Sequence, residues 1–387
     1  MDIKELDKTY IANTYSRFPF VAVSGSGARV TGENGGTCID LGSGIAVDAF
    51  GVCDPEWVAA VEAQLHKIQH FSNLFYTEPQ AKLAELLCQR TGMHKVFFCN
   101  SGAEANECAI KAARKYSFDK YGAGRHDIVT LQQSFHGRTM ATLAATGQDA
   151  LHPECFGPYP GGFLYAPAND FDALSALCGE TVCAVMLELV QGEGGVNPLA
   201  KEYVQKVEDL CHEKDILLLI DEVQTGNGRT GSLYAWQQYH VEPDIMTTAK
   251  GLGGGLPLGA CLFGEKTANT LIAGTQGSTF GGNPVCCAGA LSILSRIDGK
   301  LLAEVREKGE YIQSELSGAP GVKSVTGLGL MLGIETEKDA RSVAEICLAR
   351  GVVVLTAKNK VRLLPPLNIA WEDLRQAIQI LKGVIAE

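Results

Sequence analysis

The sequence is short of positive charge: over 387 residues, 33 Lys and Arg stand against 44 Asp and Glu, a formal net charge of −11. Affinity for a phosphate backbone needs a basic face, so this balance argues against a nucleic-acid binder. No apolar run approaches the ~20 residues of a membrane span. None of the 13 cysteines forms Cys-x-x-Cys, and the only close pair is Cys286-Cys287. Their number is odd and they lie scattered in apolar stretches such as Phe97-Phe98-Cys99, which excludes a zinc ribbon and a disulfide framework. Small buried thiols in a reducing compartment are expected instead. Repeats, low-complexity segments and Pro/Ser-rich linkers are also missing. The opening Met1-Asp2-Ile3-Lys4-Glu5 is charged and leads into no apolar stretch, so a cytoplasmic protein with no membrane partner is expected.

Two nucleotide motifs fail on spacing. Gly251-x-Gly253 meets Leu256 at the sixth position, Gly327-x-Gly329 meets Leu332, and no Gly-x-x-x-x-Gly-Lys-Ser/Thr occurs. The absence of His-Glu-x-x-His and of grouped His/Cys spacing predicts no metal site. A nicotinamide-dependent dehydrogenase is therefore disfavoured.

What is present is a globular composition, 46% hydrophobic and 20% charged, with strand and helix alternating from Asp54 onward. Asp54-Pro55 reads as an N-cap with proline at the first helical position, followed by Val58, Val61, Leu65 and Ile68 on one face. Val96-Phe97-Phe98, Asp127 to Leu131, Cys183 to Leu187, Ile216 to Ile220 and Asp244 to Ala249 are apolar runs without alternation. Strands of that kind are covered on both faces, and helical segments such as Tyr203, Val204, Val207 and Leu210 between them imply crossovers and a mainly parallel sheet. Beyond Gly274 the pattern becomes that of a smaller α+β unit. We therefore expect three parts: 1–53, glycine-rich and packing with the small domain; 54–273, a large ligand-binding domain; and 274–387, the small domain.

The strand ending in Ile220-Asp221-Glu222-Val223-Gln224 carries two carboxylates to the end of a parallel sheet, where ligands bind. Either a cationic partner meets them there, or they are acidic loop residues leaving the sheet. The run Asp244 to Ala249 leads into Lys250 and a glycine cluster. This lysine is either a nucleophile whose pKa has been lowered or a surface side chain before a flexible loop. Asn100-Ser101-Gly102-Ala103 turns from strand to helix and presents backbone N–H groups suited to a phosphate, although a plain cap uses the same residues. Gly277-Ser278-Thr279-Phe280-Gly281-Gly282-Asn283-Pro284 is a second such turn. In Phe135-His136-Gly137-Arg138 an aromatic and a guanidinium suit a planar ligand and a carboxylate, or else serve as core and surface.

Together these segments resemble the class III (ω-amino) aminotransferases of the pyridoxal-phosphate fold type I group, most closely those acting on acetylornithine. Asn100 to Asn106, Phe135 to Thr139, Gln191-Gly192-Glu193-Gly194-Gly195, Asp221 to Gly231 with its Gly-x-Gly-Arg-Thr-Gly ending, the Lys250 loop and Ser278 to Pro284 follow the family's order and spacing over nearly the whole chain. Glu188-Leu189-Val190 departs from it, because the family usually carries proline at the second position.

The resemblance implies that Lys250 holds pyridoxal 5'-phosphate covalently and shuttles a proton, while Asp221 pairs with the ring nitrogen. Gln224 would reach the ring's 3-oxygen, Phe135 and Val223 would pack on its faces, and Ser101, Gly102 and Ala103 would hold the phosphate. It further implies a homodimer with shared active sites, into which Ser278 and Thr279 reach from the other subunit. Arg138 would take the carboxylate of acetylornithine and Arg362 that of glutamate or 2-oxoglutarate, with Glu193 a movable partner of Arg362. The activity so implied is transfer of an amino group from N2-acetylornithine to 2-oxoglutarate in arginine biosynthesis. Ornithine, succinyl-ornithine, succinyl-diaminopimelate and 4-aminobutyrate transfer and glutamate-semialdehyde isomerisation remain alternatives within the same fold.

Overall fold

A computed structural model describes residues 2–387. Its centre is a seven-stranded sheet in the order Lys95–Cys99, Gly259–Phe263, Ile245–Thr248, Leu217–Asp221, Val182–Leu187, Asp127–Leu131 and Phe163–Ala166. All neighbours pair in parallel except Gly259–Phe263, which runs antiparallel to both of its own. The α/β architecture expected from the apolar runs is the one present.

The run Leu217–Asp221 shows why it lacks alternation. Leu217 and Leu219 face the cluster formed with the helix Gly102–Tyr121 through Cys108, Ala109, Ala112 and Ala113. Leu218 and Ile220 face the opposite cluster, built with Tyr203, Val204, Val207 and Leu210 of the helix Lys201–Glu213. Both faces are dry, so every position except the last is apolar. The small helix-facing alanines let Gly102–Tyr121 lie close over the strand ends, which places its N-terminus beside Asp221.

The N-terminal strands Ala22–Ser26, Arg29–Gly32 and Thr37–Asp40 form a sheet whose last member pairs in parallel with Val352–Val353 of the C-terminal part. A separate antiparallel sheet joins Val322–Leu328, Met331–Thr336, Lys360–Leu363 and Leu355–Ala357. The helix Pro284–Arg296, beyond Gly274 in sequence, packs on Pro55–Leu65 and Glu78–Thr91. Among the described residues no helix is long and apolar enough to cross a membrane.

Three elements differ from the sequence reading. Asp54 caps its helix as expected, accepting from the Trp57 amide at 2.9 Å. The inner face is nevertheless partly turned: Val61 and Ile68 are half-buried as expected, but Val58 and Leu65 are 38% and 53% exposed, while Gln64 is buried. The larger indole of Trp57 takes the inward place, donating to the Gly253 carbonyl at 3.1 Å and lying against Gly254 and Gly289. The strands Phe163–Ala166 and Gly259–Phe263 escaped detection, one a short edge between glycines and proline, the other masked by the glycine cluster before it.

Leu218, 1% exposed at the sheet's centre, tests the two-faced packing. Leu218→Ala should lower unfolding stability by about 2–5 kcal/mol in urea titration. A loss below about 1 kcal/mol would mean that this face is not close-packed.

Candidate active site

Above the carboxyl ends of the parallel strands lies a cavity of about 470 Å³, lined among others by Ser101, Gly102, Ala103, Phe135, Arg138, Asp221, Val223, Gln224 and Lys250. Nine of the residues singled out in the sequence thus meet in one place although more than a hundred positions separate them.

Asp221 is 4% exposed and closes the strand on the cavity wall. Its carboxylate accepts from Asn106 Nδ2 at 2.8 Å and from the Val223 amide at 3.0 Å, and it faces His136 Nδ1 at 2.8 Å. A carboxylate only accepts, so the proton in that last contact sits on Nδ1. Asn106 is itself fixed, because Thr247 Oγ1 donates to its Oδ1 at 2.6 Å and leaves its amide nitrogen for Asp221 and for the His136 carbonyl. Thr247 is the register partner of Asp221 on the next strand. Burial alone would pull the His136 imidazole down, but the Asp221 hydrogen bond and charge outweigh it and the pKa ends above its ordinary value. Glu188 accepts from the Phe135 and Gly192 amides at 2.8 and 3.3 Å. Burial raises its pKa to about 7 against the opposing pull of His136.

Glu222 takes no part in the cavity. Its carboxylate turns inward to Thr225 Oγ1 at 2.5 Å and the Trp236 amide at 2.9 Å, so of the two acidic residues leaving the strand only Asp221 faces a ligand.

Lys250 follows the strand Ile245–Thr248 in a left-handed conformation, φ +45°, which sends the chain into a short 3₁₀ turn. Burial lowers the pKa of its amine to about 8, with Glu193 opposing the shift and Arg362 adding to it. Glu193 Oε1 and Arg362 Nη1 are 2.5 Å apart, and the same Nη1 donates to Gln224 Oε1 at 3.2 Å. Burial would raise the Glu193 carboxyl, yet the Arg362 charge and hydrogen bond, followed by the Lys250 charge, hold it below the usual range. Arg362 is 2% exposed, and its Nε is buried without a hydrogen-bond partner. Arg138 is exposed at the cavity's rim, its guanidinium carbon 5.6 Å from the Phe135 ring centre.

At the phosphate-suited turn, Ser101 caps the helix Gly102–Tyr121 by accepting from the Glu104 amide at 3.2 Å. Gly102 is required by close approach, because a Cβ there would stand 2.7 Å from Val223 Cγ1. Ser278 Oγ accepts from Asn100 Nδ2 of its own chain at 3.1 Å, and neither Ser278 nor Thr279 lines the cavity.

The donor set fits pyridoxal phosphate. A helix N-terminus suits the phosphate, a lysine with a lowered pKa suits an aldehyde, and a partnered carboxylate at the far wall suits a protonated ring nitrogen. In the sequence His136, Asn106 and Thr247 lie inside recognisable segments, but nothing local gives them a task. Their signal is spatial, since all three converge on Asp221 from different elements.

The Aminotransferase class-III family profile matches residues 10–385. The acetylornithine aminotransferase of Haemophilus ducreyi is 51% identical, over 100% of this chain and 98% of its own. That of Caldanaerobacter subterraneus subsp. tengcongensis is 44% identical over 98% of each. Among solved structures, the Toxoplasma gondii ornithine aminotransferase superposes with a TM-score of 0.94 at 30% identity, covering 99% of this chain and 94% of that one. The Stenotrophomonas maltophilia N-acetylornithine aminotransferase gives 0.86 at 36% identity, covering 99% and 98%.

The lowered Lys250 pKa has a direct readout in cofactor-free protein. Its modification by an amine-directed reagent should rise with pH through a midpoint near 8, against 10.5 for an unperturbed lysine. Replacing Glu193 by Gln should move the midpoint further down, because Glu193 favours the charged amine. A midpoint above 10 by mass-spectrometric peptide mapping would contradict the assignment.

Proposed function

This chain belongs to the class-III aminotransferases, which depend on pyridoxal phosphate, and from that premise we propose that it moves the δ-amino group of N2-acetylornithine to 2-oxoglutarate in arginine biosynthesis. The observation that carries the substrate assignment is the contrast between two arginines, Arg138 on the cavity's lining and Arg362 outside it. Arg138 is exposed at the entrance, whereas Arg362 is buried beside Lys250 with Nη1 engaged by Glu193 and Gln224 and Nε free. The names carried by relatives at 40–51% identity support the same choice of donor.

When bound, pyridoxal phosphate supplies a conjugated, electron-withdrawing ring next to the reacting nitrogen. Lys250 would hold the cofactor and, as a free amine, would carry the proton of the substrate carbon; a pKa near 8 leaves part of the amine neutral at physiological pH. Asp221 would keep a proton on the cofactor's ring nitrogen. Gln224 would bind the 3-oxygen, Phe135 and Val223 would pack against the ring, and Ser101, Gly102 and Ala103 would hold the phosphate at the helix N-terminus.

Arg138 binds the donor's carboxylate. Arg362 exchanges Glu193 for the α-carboxylate of 2-oxoglutarate, so that one site serves both substrates without leaving a buried guanidinium unpaired.

The working unit in this reading is a homodimer, in which Ser278 and Thr279 complete the site of the other copy. Leu74, Phe75, Tyr76 and Phe280 are 87%, 56%, 104% and 61% exposed, and Asn73 Nδ2 ties the two segments together by donating to the Ser278 and Gly281 carbonyls. An apolar patch of this kind marks an interface. The thirteen free cysteines, most of them buried, support a reducing, cytoplasmic setting.

Both half-reactions share Lys250 and the cofactor, so selective damage to one half must arise in substrate binding. Arg138→Ala should weaken mainly the acetylornithine half-reaction and Arg362→Ala mainly the 2-oxoglutarate one, each by roughly 2–5 kcal/mol. Glu193→Gln should leave 2-oxoglutarate as well bound or better and penalise the donor. Stopped-flow measurement of each half decides, and equal losses in both halves for either arginine would sink the split assignment.

A further inference from the structure

Glu193 stands on a five-residue loop, 192–196, closed by the pairing of Val190–Gln191 with Asn197–Pro198. The loop is strained. Gly195 and Val196 both have positive φ, +111° and +54°, and a β-branched residue in that region persists only where its surroundings hold it.

The holding groups converge on one ammonium. Lys360, 7% exposed, donates from Nζ to Asn197 Oδ1 at 3.0 Å and to Thr326 Oγ1 at 2.8 Å. Thr326 Oγ1 in turn donates to the Val196 carbonyl at 2.7 Å, and Asn197 Nδ2 donates to the Gly194 carbonyl at 3.0 Å. The adjoining strand makes room for the loop at Gly333, where a Cβ would come within 2.9 Å of Val196 Cβ and 3.2 Å of the Gly195 carbonyl.

Lys360 and Arg362 belong to one strand, Lys360–Leu363, and lie two residues apart on one face of it. Arg362 meets Glu193 near the loop's start through an ion pair that a substrate carboxylate can replace. Lys360 meets the loop's end through contacts that no substrate reaches. We propose that Lys360 is a positioning residue for substrate exchange, pinning the base of the Glu193 loop to the strand that carries Arg362 so that only the Glu193 end moves between half-reactions. This rests on the Glu193–Arg362 exchange proposed above. Without the clamp, the strain at Val196 relaxes and Glu193 is no longer returned to Arg362 when the acceptor leaves.

The test uses the dimeric holoenzyme. Lys360→Met should shift the ratio of acceptor to donor apparent affinity by roughly tenfold in the same direction as Glu193→Gln, read in separate half-reactions. In the Glu193→Gln background the same substitution should add little to that ratio, since the group it positions is already gone. Thr326→Val, which removes the link to Val196 with little change in volume, should reproduce the shift and decides the matter if Lys360→Met does not fold. Faster amide hydrogen exchange confined to residues 192–198 should accompany both variants. A shift in Glu193→Gln with no shift in Lys360→Met or Thr326→Val would overturn the clamp alone. No shift in Glu193→Gln would remove the exchange reading and the clamp's role with it. A purely structural role would lower thermal stability while leaving the ratio untouched.

Discussion

A carboxylate at the end of a strand that is otherwise wholly apolar is the constraint around which the site is arranged. Leu217 to Ile220 are each 1% exposed, and Asp221 is carried to the ligand cavity out of that dry interior. A charge there is tolerable only if it is surrounded by donors. Asn106 comes from the long helix, His136 from the loop after Asp127–Leu131, and the Val223 amide from the residues that follow. Thr247 fixes which way the Asn106 amide points. Each of these groups needs its own element in register, so the position of one carboxylate ties together two neighbouring strands, the helix and the loop that bears Phe135 and Arg138.

The contacts around the cavity accordingly fall into a fixed set and one that the proposed exchange would replace. Asp221, Asn106 and His136 are held by short contacts among buried groups, which suits a partner for a cofactor that must not move. In the second set Glu193 and the cavity-lining Gln224 share one guanidinium nitrogen of Arg362, and Glu193 is 30% exposed at its side chain. An ion pair with one partner partly open to solvent is exchangeable where a fully enclosed one is not. Lys250 lies under both influences: burial lowers its amine pKa, and the Glu193 charge limits how far.

Much of this was legible in the sequence because it follows from chemistry that leaves a local trace. A buried strand must be apolar on both faces, so Leu217 to Ile220 announced a covered parallel sheet. Asp221 and Lys250 stood out as charges at the ends of such strands. The helix Pro55–Leu65 was legible in its cap but not in its rotation, because four aliphatic residues at helical spacing outvoted one tryptophan, and only tertiary contact with Gly253, Gly254 and Gly289 reverses that. Gly259–Phe263 was hidden because glycines used for close approach read locally as a loop. Asn106, His136 and Thr247 were invisible as a set, since their meaning lies in three separate segments meeting at one carboxylate.

The central claim is that the Asp221 charge holds a proton on the cofactor's ring nitrogen, and replacing that charge by a neutral amide of the same shape addresses it directly. In Asp221→Asn the cofactor should still bind, because the phosphate turn and Lys250 are unchanged. The single-turnover rate of proton removal from the donor substrate should fall by about a hundredfold or more, on the order of 3 kcal/mol in the barrier. A single-turnover rate equal to that of the parent enzyme, with cofactor bound to the same extent, would contradict the account.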